Sequence, residues 1–289
     1  MNKNELEKLD VRPVSKGVAR ELIVANHYSK TWNTAFGLQN YGIYRDRELL
    51  GVAVYGHAMN PRAWDGVANI DNEKCLELNR LWIDDILGAN VETWFISQTF
   101  RFLKKDGYRL IQSFADGRLG VGTIYQAANF TYHGSHETIF HKTEDGTVWH
   151  NATFNNSAKA RGMLFRNMFF LTQNVKTFTV KTYRYLYGLD RIAKKSILLP
   201  ALPYPKERLG IITLQNYRPP AGQIARCVAV ADAIGDFEKK KMLRLFLNEL
   251  TDNPEGLIAE AMENEWIKPL FKNKDYMLDF ESLFEEEKC

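Results

Sequence analysis

Apolar residues in the first part of the chain recur with two different periods, so the pattern predicts both helices and strands. Helical spacing predicts helices at residues 14–24, with Ser15 as N-cap, and 90–105, and alternation predicts strands at 41–45, 49–56 and 76–83. In the last of these strands Glu77 and Arg80 are three positions apart, so we expect them on opposite faces. The pattern favours an α/β (α+β) fold, a mixed twisted sheet flanked by helices.

The centre of the predicted fold is the stretch 112–134, QSFADGRLGVGTIYQAANFTYHG. A short apolar strand ends at Asp116, three glycines follow within residues 117–122, and a helix and a second strand come next. This order places Asp116 and Tyr125 near the carboxyl end of a sheet, where α/β folds bind ligands. The stretch therefore predicts a functional site.

The chain changes character after residue 156. The pattern predicts a basic helix at 159–171, a strand or a helix at 178–189, an extended proline-rich segment at 199–205, and amphipathic helices at 225–234, 237–250 and 257–266. We expect a catalytic domain at 1–208 and an acidic helical C-terminal appendage at 209–289, which offers helices for homo-oligomerisation.

Charge is distributed unevenly along the chain, although the net charge is only +3. Residues 157–208 hold eleven Lys and Arg against two acids, and residues 222–289 hold nine against fifteen. Aromatic residues are interleaved with the basic ones, and such surfaces suit nucleic acid. The alternative is an ordinary α/β surface with buried Phe and solvated Lys. We expect a nucleic acid as partner, bound through the basic residues Arg161, Arg166, Lys194 and Lys195.

Cysteine usage and hydropathy give weaker indications. The three cysteines are far apart and match neither a metal-binding spacing nor a disulfide framework, which favours a reducing compartment. No stretch has the length and apolarity of a signal peptide or a membrane span. The expected location is the cytoplasm, without membrane association.

Several motifs resemble the Mom family of phage DNA-modification enzymes. They are Glu77, Arg80, Leu81, Asn90, Ser97, Asp116, the run GTIYQAANF at 122–130, Tyr132 and Gly134, with His27-Tyr28-Ser29 upstream and Pro203-Tyr204-Pro205-Lys206 downstream. The resemblance covers about residues 20–206. It implies a fold similar to the GCN5-related N-acetyltransferases and conversion of adenine to N6-carbamoylmethyladenine. Gly120 stands where the family leads us to expect a His.

The chemistry of transfer to adenine suggests roles for individual residues. Asp116 would accept a hydrogen bond from the adenine amine, Tyr125 would be a general acid, and His27 would transfer protons. Each has a plain structural alternative: a turn cap, a core tyrosine and a surface histidine. The remaining expected site residues are Tyr28 and Ser97 in catalysis, Arg80, Gly120 and Gly122 in cofactor binding, and Asn129 in substrate binding. Arg80 could instead pair with a neighbouring glutamate, and Ser97 could be a helix-face residue.

The group donor stays open at this stage. The acetyltransferase-like fold suggests an acyl-coenzyme A, but residues 84–88 are DDILG and place acids where a pyrophosphate would need bare N–H groups. Iron(II) is another possibility, since His27, Tyr28 and Asp116 offer N and O ligands, although no spacing supports it. A small-molecule or protein N-acetyltransferase and a catalytically silent DNA-binding protein are the competing functions.

Overall fold

The computed structural model describes residues 6–58, 62–151, 174–206, 214–217, 219–233 and 235–263. The strands are β1 (Leu9–Pro13), β2 (Gln39–Arg45), β3 (Glu48–Gly56), β4 (Cys75–Ile83), β5 (Leu110–Asp116), β6 (Thr131–Lys142), β7 (Val148–His150), β8 (Lys176–Gly188) and β9 (Gln215–Asn216). The helices are α1 (Lys16–Asn26), α2 (Val91–Lys105), α3 (Thr123–Ala127), α4 (Arg191–Lys195), α5 (Ala221–Ala233), α6 (Phe237–Leu250) and α7 (Pro254–Met262). The predicted helix at 159–171, with Arg161 and Arg166, lies outside the described residues.

The strands form a mixed sheet in the order β1-β2-β3-β4-β5-β8-β6-β7, with β9 paired to β8. β4 and β5 run parallel and are joined by α2, whereas β1 to β4 and the pair β5–β8 are antiparallel. The predicted mixed sheet flanked by helices is confirmed. Residues 178–189, predicted as either a strand or a helix, belong almost entirely to the strand β8.

The edge strand β1 precedes α1 and has no counterpart in the sequence prediction. Only Leu9 of its five residues is buried, so β1 carries no alternating pattern. Its place in the sheet comes from backbone pairing with β2. The first predicted helix is confirmed as α1, and the Ser15 side chain accepts a hydrogen bond from Val18 N as its N-cap.

Two apolar cores lie around β3 and β4. In one, Phe95 and Leu103 of α2 pack with Leu76 and Tyr185 of the sheet. In the other, Ala19 and Ile23 of α1 pack with apolar residues that include Val52 and Val54 of β3. A sheet with helices packed against it buries apolar side chains and leaves the strand ends for polar chemistry.

The C-terminal helices α5, α6 and α7 bury a core of their own, which includes Val228, Leu243 and Ile258. By compactness the chain divides into one unit of residues 1–137 and 181–211 and another of residues 138–180 and 212–289. The predicted functional domains, 1–208 and 209–289, stay a prediction, as does oligomerisation through the C-terminal helices. In the described part of the chain, no helix combines the length and the apolarity that crossing a membrane requires.

Candidate active site

A split in the centre of the sheet organises the candidate site. The pairing of β4 with β5 runs from Cys75–Leu110 to Glu77–Gln112 and stops there. Just beyond, the Ser113 hydroxyl donates to the carbonyl oxygen of Leu78, 3.0 Å away. The split therefore lies at the carboxyl ends of two parallel strands, a position that α/β folds use for ligands.

A β-bulge in β4 decides which side chains face the split. Val54 pairs with Arg80 and Tyr55 with Leu78, so Asn79 is an extra residue in β4. The bulge shifts the alternation by one position, because Leu76 and Leu78 before it and Leu81 and Ile83 after it all belong to one core. Glu77 and Arg80 therefore lie on the same face, and the prediction of opposite faces is wrong. A bulge re-aims side chains in this way, often next to an active site.

Glu77 is the carboxyl group at the split, and it is partly buried. Asn79 Nδ2 donates to its Oε1 over 3.1 Å, and Gln112 Nε2 donates to its Oε2 over 3.4 Å. Burial raises the pKa of Glu77, and these two hydrogen bonds, with Arg80 and Arg184, act in the opposite direction. The carboxylate thus fixes two amide side chains and faces two guanidinium groups.

Arg80 connects the split to the loop that follows α1. Its Nη1 donates to the Asn79 carbonyl oxygen over 2.6 Å and its Nη2 donates to Thr31 Oγ1 over 3.2 Å. The guanidinium carbon lies 4.6 Å from the centre of the Phe36 ring, so the cation also stacks on an aromatic face. These contacts hold Arg80 as a fixed positive charge beside Glu77.

His27 and Tyr28, at the end of α1 and in the loop after it, lie near Arg80. His27 Nδ1 accepts a hydrogen bond from Ser29 N over 3.1 Å, and the rings of His27 and Tyr28 are 4.2 Å apart. Burial, and then Arg80, lower the pKa of His27 to about 4. His27 is neutral at neutral pH with the proton on Nε2, so it is a hydrogen-bond donor in this conformation.

The low pKa of His27 predicts a pH-dependent loss of stability. The folded chain binds this proton less readily than the unfolded chain, so stability falls as the pH drops from 6.5 towards 4. Between pH 7 and pH 5 we expect the parent to lose up to roughly 2 kcal/mol of unfolding free energy more than His27→Gln does. Chemical denaturation at each pH measures this, with the exposed His57→Gln as control. Equal losses in parent and His27→Gln would refute it.

Asp116 ends β5 and is paired with Arg118. Arg118 Nε lies 3.0 Å and 2.9 Å from the two carboxylate oxygens, and Arg118 N donates to Oδ1 over 2.9 Å. Asp116 and Arg118 also act on Tyr28, an exposed residue: partial desolvation raises the pKa of its hydroxyl, Asp116 raises it further, and Arg80 and Arg118 lower it. Asp116 therefore fixes the turn and lies near Tyr28, and its role as acceptor for the adenine amine stays a prediction.

Tyr125 reaches the split from α3. Burial raises its pKa to about 12, a hydrogen bond with the Ser113 side chain acts in the opposite direction, and Tyr28 and Arg80 are its next electrostatic neighbours. Its ring also packs 5.5 Å from that of Phe130. These contacts agree with a core tyrosine whose hydroxyl is protonated at neutral pH, and the catalytic role of Tyr125 stays a prediction.

The predicted site residues Gly120, Gly122, Ser97 and Asn129 lie in two places, the glycines in the loop before α3 and the other two at a separate cleft. Gly122 has a φ of +80°, and a Cβ there would lie 2.6 Å from Tyr185, so packing alone requires this glycine. Gly120, with a φ of 148°, lies in the same loop. Ser97 donates to the Trp94 carbonyl oxygen in α2 and, with Asn129, lines a cleft of about 400 Å³ between α2 and α3. The structure does not group Ser97 and Asn129 with His27, and their roles stay predictions.

The segment before α2 does not fit a pyrophosphate. The Asp84 carboxylate accepts a hydrogen bond from Ile86 N over 3.0 Å, and Asp85 and Glu92 add negative charge on either side. Negative charge at a helix N-terminus opposes anion binding. This segment therefore does not suit the pyrophosphate of coenzyme A.

Metal ligands are scarce around the split. In the described residues no three His, Cys, Asp or Glu side chains form a group able to hold a metal ion. Of the ligands considered for iron, Asp116 is paired with Arg118 and His27 Nδ1 is hydrogen-bonded to Ser29. These residues therefore do not fit an iron site.

Four site residues were not predicted from the sequence: Asn79, Gln112, Arg118 and Arg184. One signal was available, since Gln112 is an amide in the middle of a strand predicted to be buried. Arg184 required the pairing of Phe114 with Arg184 across β5 and β8, which no local pattern contains.

Comparison with known proteins agrees with the resemblance seen in the motifs. The Mom protein family matches residues 8–206. The methylcarbamoylase Mom of Escherichia phage Mu is 33% identical over 210 residues, which are 69% of this chain and 85% of that protein. Two N-acetyltransferase structures align with 63% of this chain and 99% of their own: a putative phosphinothricin N-acetyltransferase (12% identity, TM-score 0.39) and one from Staphylococcus aureus Mu50 (13%, 0.37). The chain belongs to the Mom protein family.

Proposed function

We propose that this chain is a transferase that adds a carbamoylmethyl group to the N6 amine of adenine in double-stranded DNA. Membership of the Mom family and the identity to a phage methylcarbamoylase support a DNA-modifying transferase. The observation that carries the proposal is the polar split between β4 and β5, where Glu77, Arg80 and Tyr125 meet. An adduct on adenine would protect the DNA from restriction enzymes.

The chemistry of the split suits transfer to a weakly nucleophilic amine. The lone pair of adenine N6 is delocalised into the ring, so transfer needs an acceptor for the amine proton and stabilisation of charge on the donor. Asp116 is the proposed acceptor, and Glu77 orients the amides of Asn79 and Gln112. Tyr125, whose pKa is raised to about 12 by burial, and Arg80 can donate hydrogen bonds to developing negative charge.

The proposed substrate requires a surface for the duplex. A base inside duplex DNA is unreachable, so the enzyme would extrude it, at a cost of a few kcal/mol that phosphate contacts offset. Lys194 and Lys195 are exposed at the end of α4 and are candidates for phosphate contacts. Arg161 and Arg166 keep the same proposed role, although they lie outside the described residues.

Charge reversal on α4 tests this surface. We expect Lys194→Glu with Lys195→Glu to weaken duplex binding and to reduce the slope of log affinity against log salt by about one unit per lysine. The matched control reverses Lys104 and Lys105, an equally exposed pair at the end of α2. Fluorescence anisotropy over a salt series measures both. Equal slopes for the two double variants would exclude α4 from the DNA surface.

Restriction digestion tests the proposed function in cells. DNA from cells that express the chain should resist endonucleases whose sites contain adenine and should be cut by those whose sites contain only guanine and cytosine. DNA from cells with an empty vector should be cut by both. If the adenine-containing sites are cut equally well in both DNAs, the chain does not modify adenine.

A further inference from the structure

Three buried side-chain atoms at the split have no hydrogen-bond partner among the described residues. They are Asn79 Oδ1, Arg80 Nε and Gln112 Oε1. Buried polar atoms in folded proteins are nearly always paired, with protein groups or with water. Asn79 and Arg80 are consecutive residues at the bulge of β4. Gln112 lies on β5, directly opposite Glu77. Such a concentration marks a place where water or a ligand supplies the missing partners.

Glu77 determines which atoms are left unpaired. Its two oxygens accept hydrogen bonds from Asn79 Nδ2 and Gln112 Nε2, so each amide turns its nitrogen towards Glu77 and leaves its oxygen free. The two terminal nitrogens of Arg80 donate to the Asn79 carbonyl oxygen and to Thr31, which leaves Arg80 Nε without a partner among the described residues. Gly56 lies against both the Ala35 carbonyl oxygen and the Asn79 amide, because a Cβ there would overlap the first and would lie 2.6 Å from Asn79 Oδ1.

The unpaired set therefore consists of two acceptors and one donor. A carboxylate or a phosphate has no N–H for the two amide oxygens. A planar amino group offers two N–H donors, and an acceptor on the same carbon can face a neighbouring donor. Hydrogen-bonding sites of this kind reject analogues that lack the matching group, because their buried polar atoms are then left unpaired.

We propose that Asn79, Arg80 and Gln112 form a subsite for a planar group that carries an NH₂ with a hydrogen-bond acceptor on the same carbon. The two N–H bonds donate to Asn79 Oδ1 and Gln112 Oε1, and the acceptor takes a hydrogen bond from Arg80 Nε. The inference rests on the proposed function, in which two groups have this chemistry. They are the edge of adenine formed by its amine and N1, and the carbamoyl group that is transferred.

Matched pairs of small molecules test the subsite and separate its two possible occupants. Adenosine is compared with purine riboside, which lacks the amino group, and acetamide with N,N-dimethylacetamide, which lacks the N–H donors. Binding to the purified full chain is followed by NMR titration. We expect one amino-bearing molecule to bind about tenfold or more tightly than its partner. Discrimination in the adenosine pair assigns the subsite to the base, and discrimination in the acetamide pair assigns it to the donor.

A variant shows whether the discrimination comes from this subsite. Gln112→Met replaces the amide by an apolar side chain of similar length and should abolish the preference. Gln39→Met removes the same group on β2, where the amide bonds to Tyr108, and should leave the preference intact. The inference is overturned if neither pair discriminates in the parent, or if a folded Gln112→Met keeps the preference. If Gln112→Met does not fold, the parent's two pairs decide alone.

This test is independent of whether the chain modifies DNA. If the preference is found and lost in Gln112→Met while DNA from expressing cells carries no adduct, the subsite stands and the proposed function fails. If the DNA is modified and neither pair discriminates, the proposed function stands and the subsite is refuted.

Discussion

Glu77→Gln should reduce DNA modification by about a hundredfold or more while the chain stays folded. The substitution is nearly isosteric, but it removes the charge that orients the amides of Asn79 and Gln112 and balances Arg80. Small displacements of groups that position a substrate cost rates of this order. Modified deoxyadenosine in DNA from cells expressing each variant measures the effect, and Glu48→Gln, an exposed change in β3, is the control.

Stability distinguishes this positioning role from a general structural role. Burial raises the pKa of Glu77, so the folded chain holds this proton more tightly than the unfolded chain. The contribution of Glu77 to stability therefore falls as the pH rises from the unfolded pKa through the folded one. Glu77→Gln has no carboxyl group to ionise, so it avoids this loss of unfolding free energy and should melt at the same or a higher temperature at pH 7. A marked fall in melting temperature would show that Glu77 supports the fold instead.

Tyr125→Phe is the second change for which we expect a large effect, a loss of about a hundredfold in modification. The Tyr125 hydroxyl is hydrogen-bonded to Ser113, and burial raises its pKa to about 12. It therefore keeps its proton at neutral pH and can donate a proton or a hydrogen bond. The ring contacts with Phe130 and Tyr185 remain in the variant. The loss should therefore come without a large change in melting temperature.

The matched control for Tyr125 is Tyr132→Phe, which removes a hydroxyl from another largely buried tyrosine of the same core. Modification by Tyr132→Phe should stay close to that of the parent. If Tyr125→Phe and Tyr132→Phe modify DNA equally well, Tyr125 is a core residue and the proton donor lies elsewhere, with His27 as the next candidate.

The sequence predicted elements whose signal is local. The alternation in β4, the helical spacing of α2 and the strand that ends at Asp116 each require only neighbouring residues. The loop His27–Ser29 and Tyr125 were predicted by motif, and the structure places both around Arg80.

The parts that escaped prediction depend on pairing between distant strands. The extra residue Asn79 is defined only by the register of β3 against β4, and it overturned the expected faces of Glu77 and Arg80. The amide of Gln112 is oriented by its hydrogen bond to Glu77, which is 35 residues away in the sequence. The edge strand β1 likewise has no alternating pattern to detect, because only one of its five residues is buried.

The nucleoside mass profile of DNA from cells expressing this chain tests the central claim most directly. DNA is digested completely to nucleosides, and the deoxyadenosine fraction is compared between the parent, Tyr125→Phe and an empty vector. The account predicts a modified deoxyadenosine with the mass of the N6-carbamoylmethyl form in the parent, strongly reduced in Tyr125→Phe and absent with the vector. A parent profile with only unmodified deoxyadenosine, from cells that contain the folded protein, would contradict it.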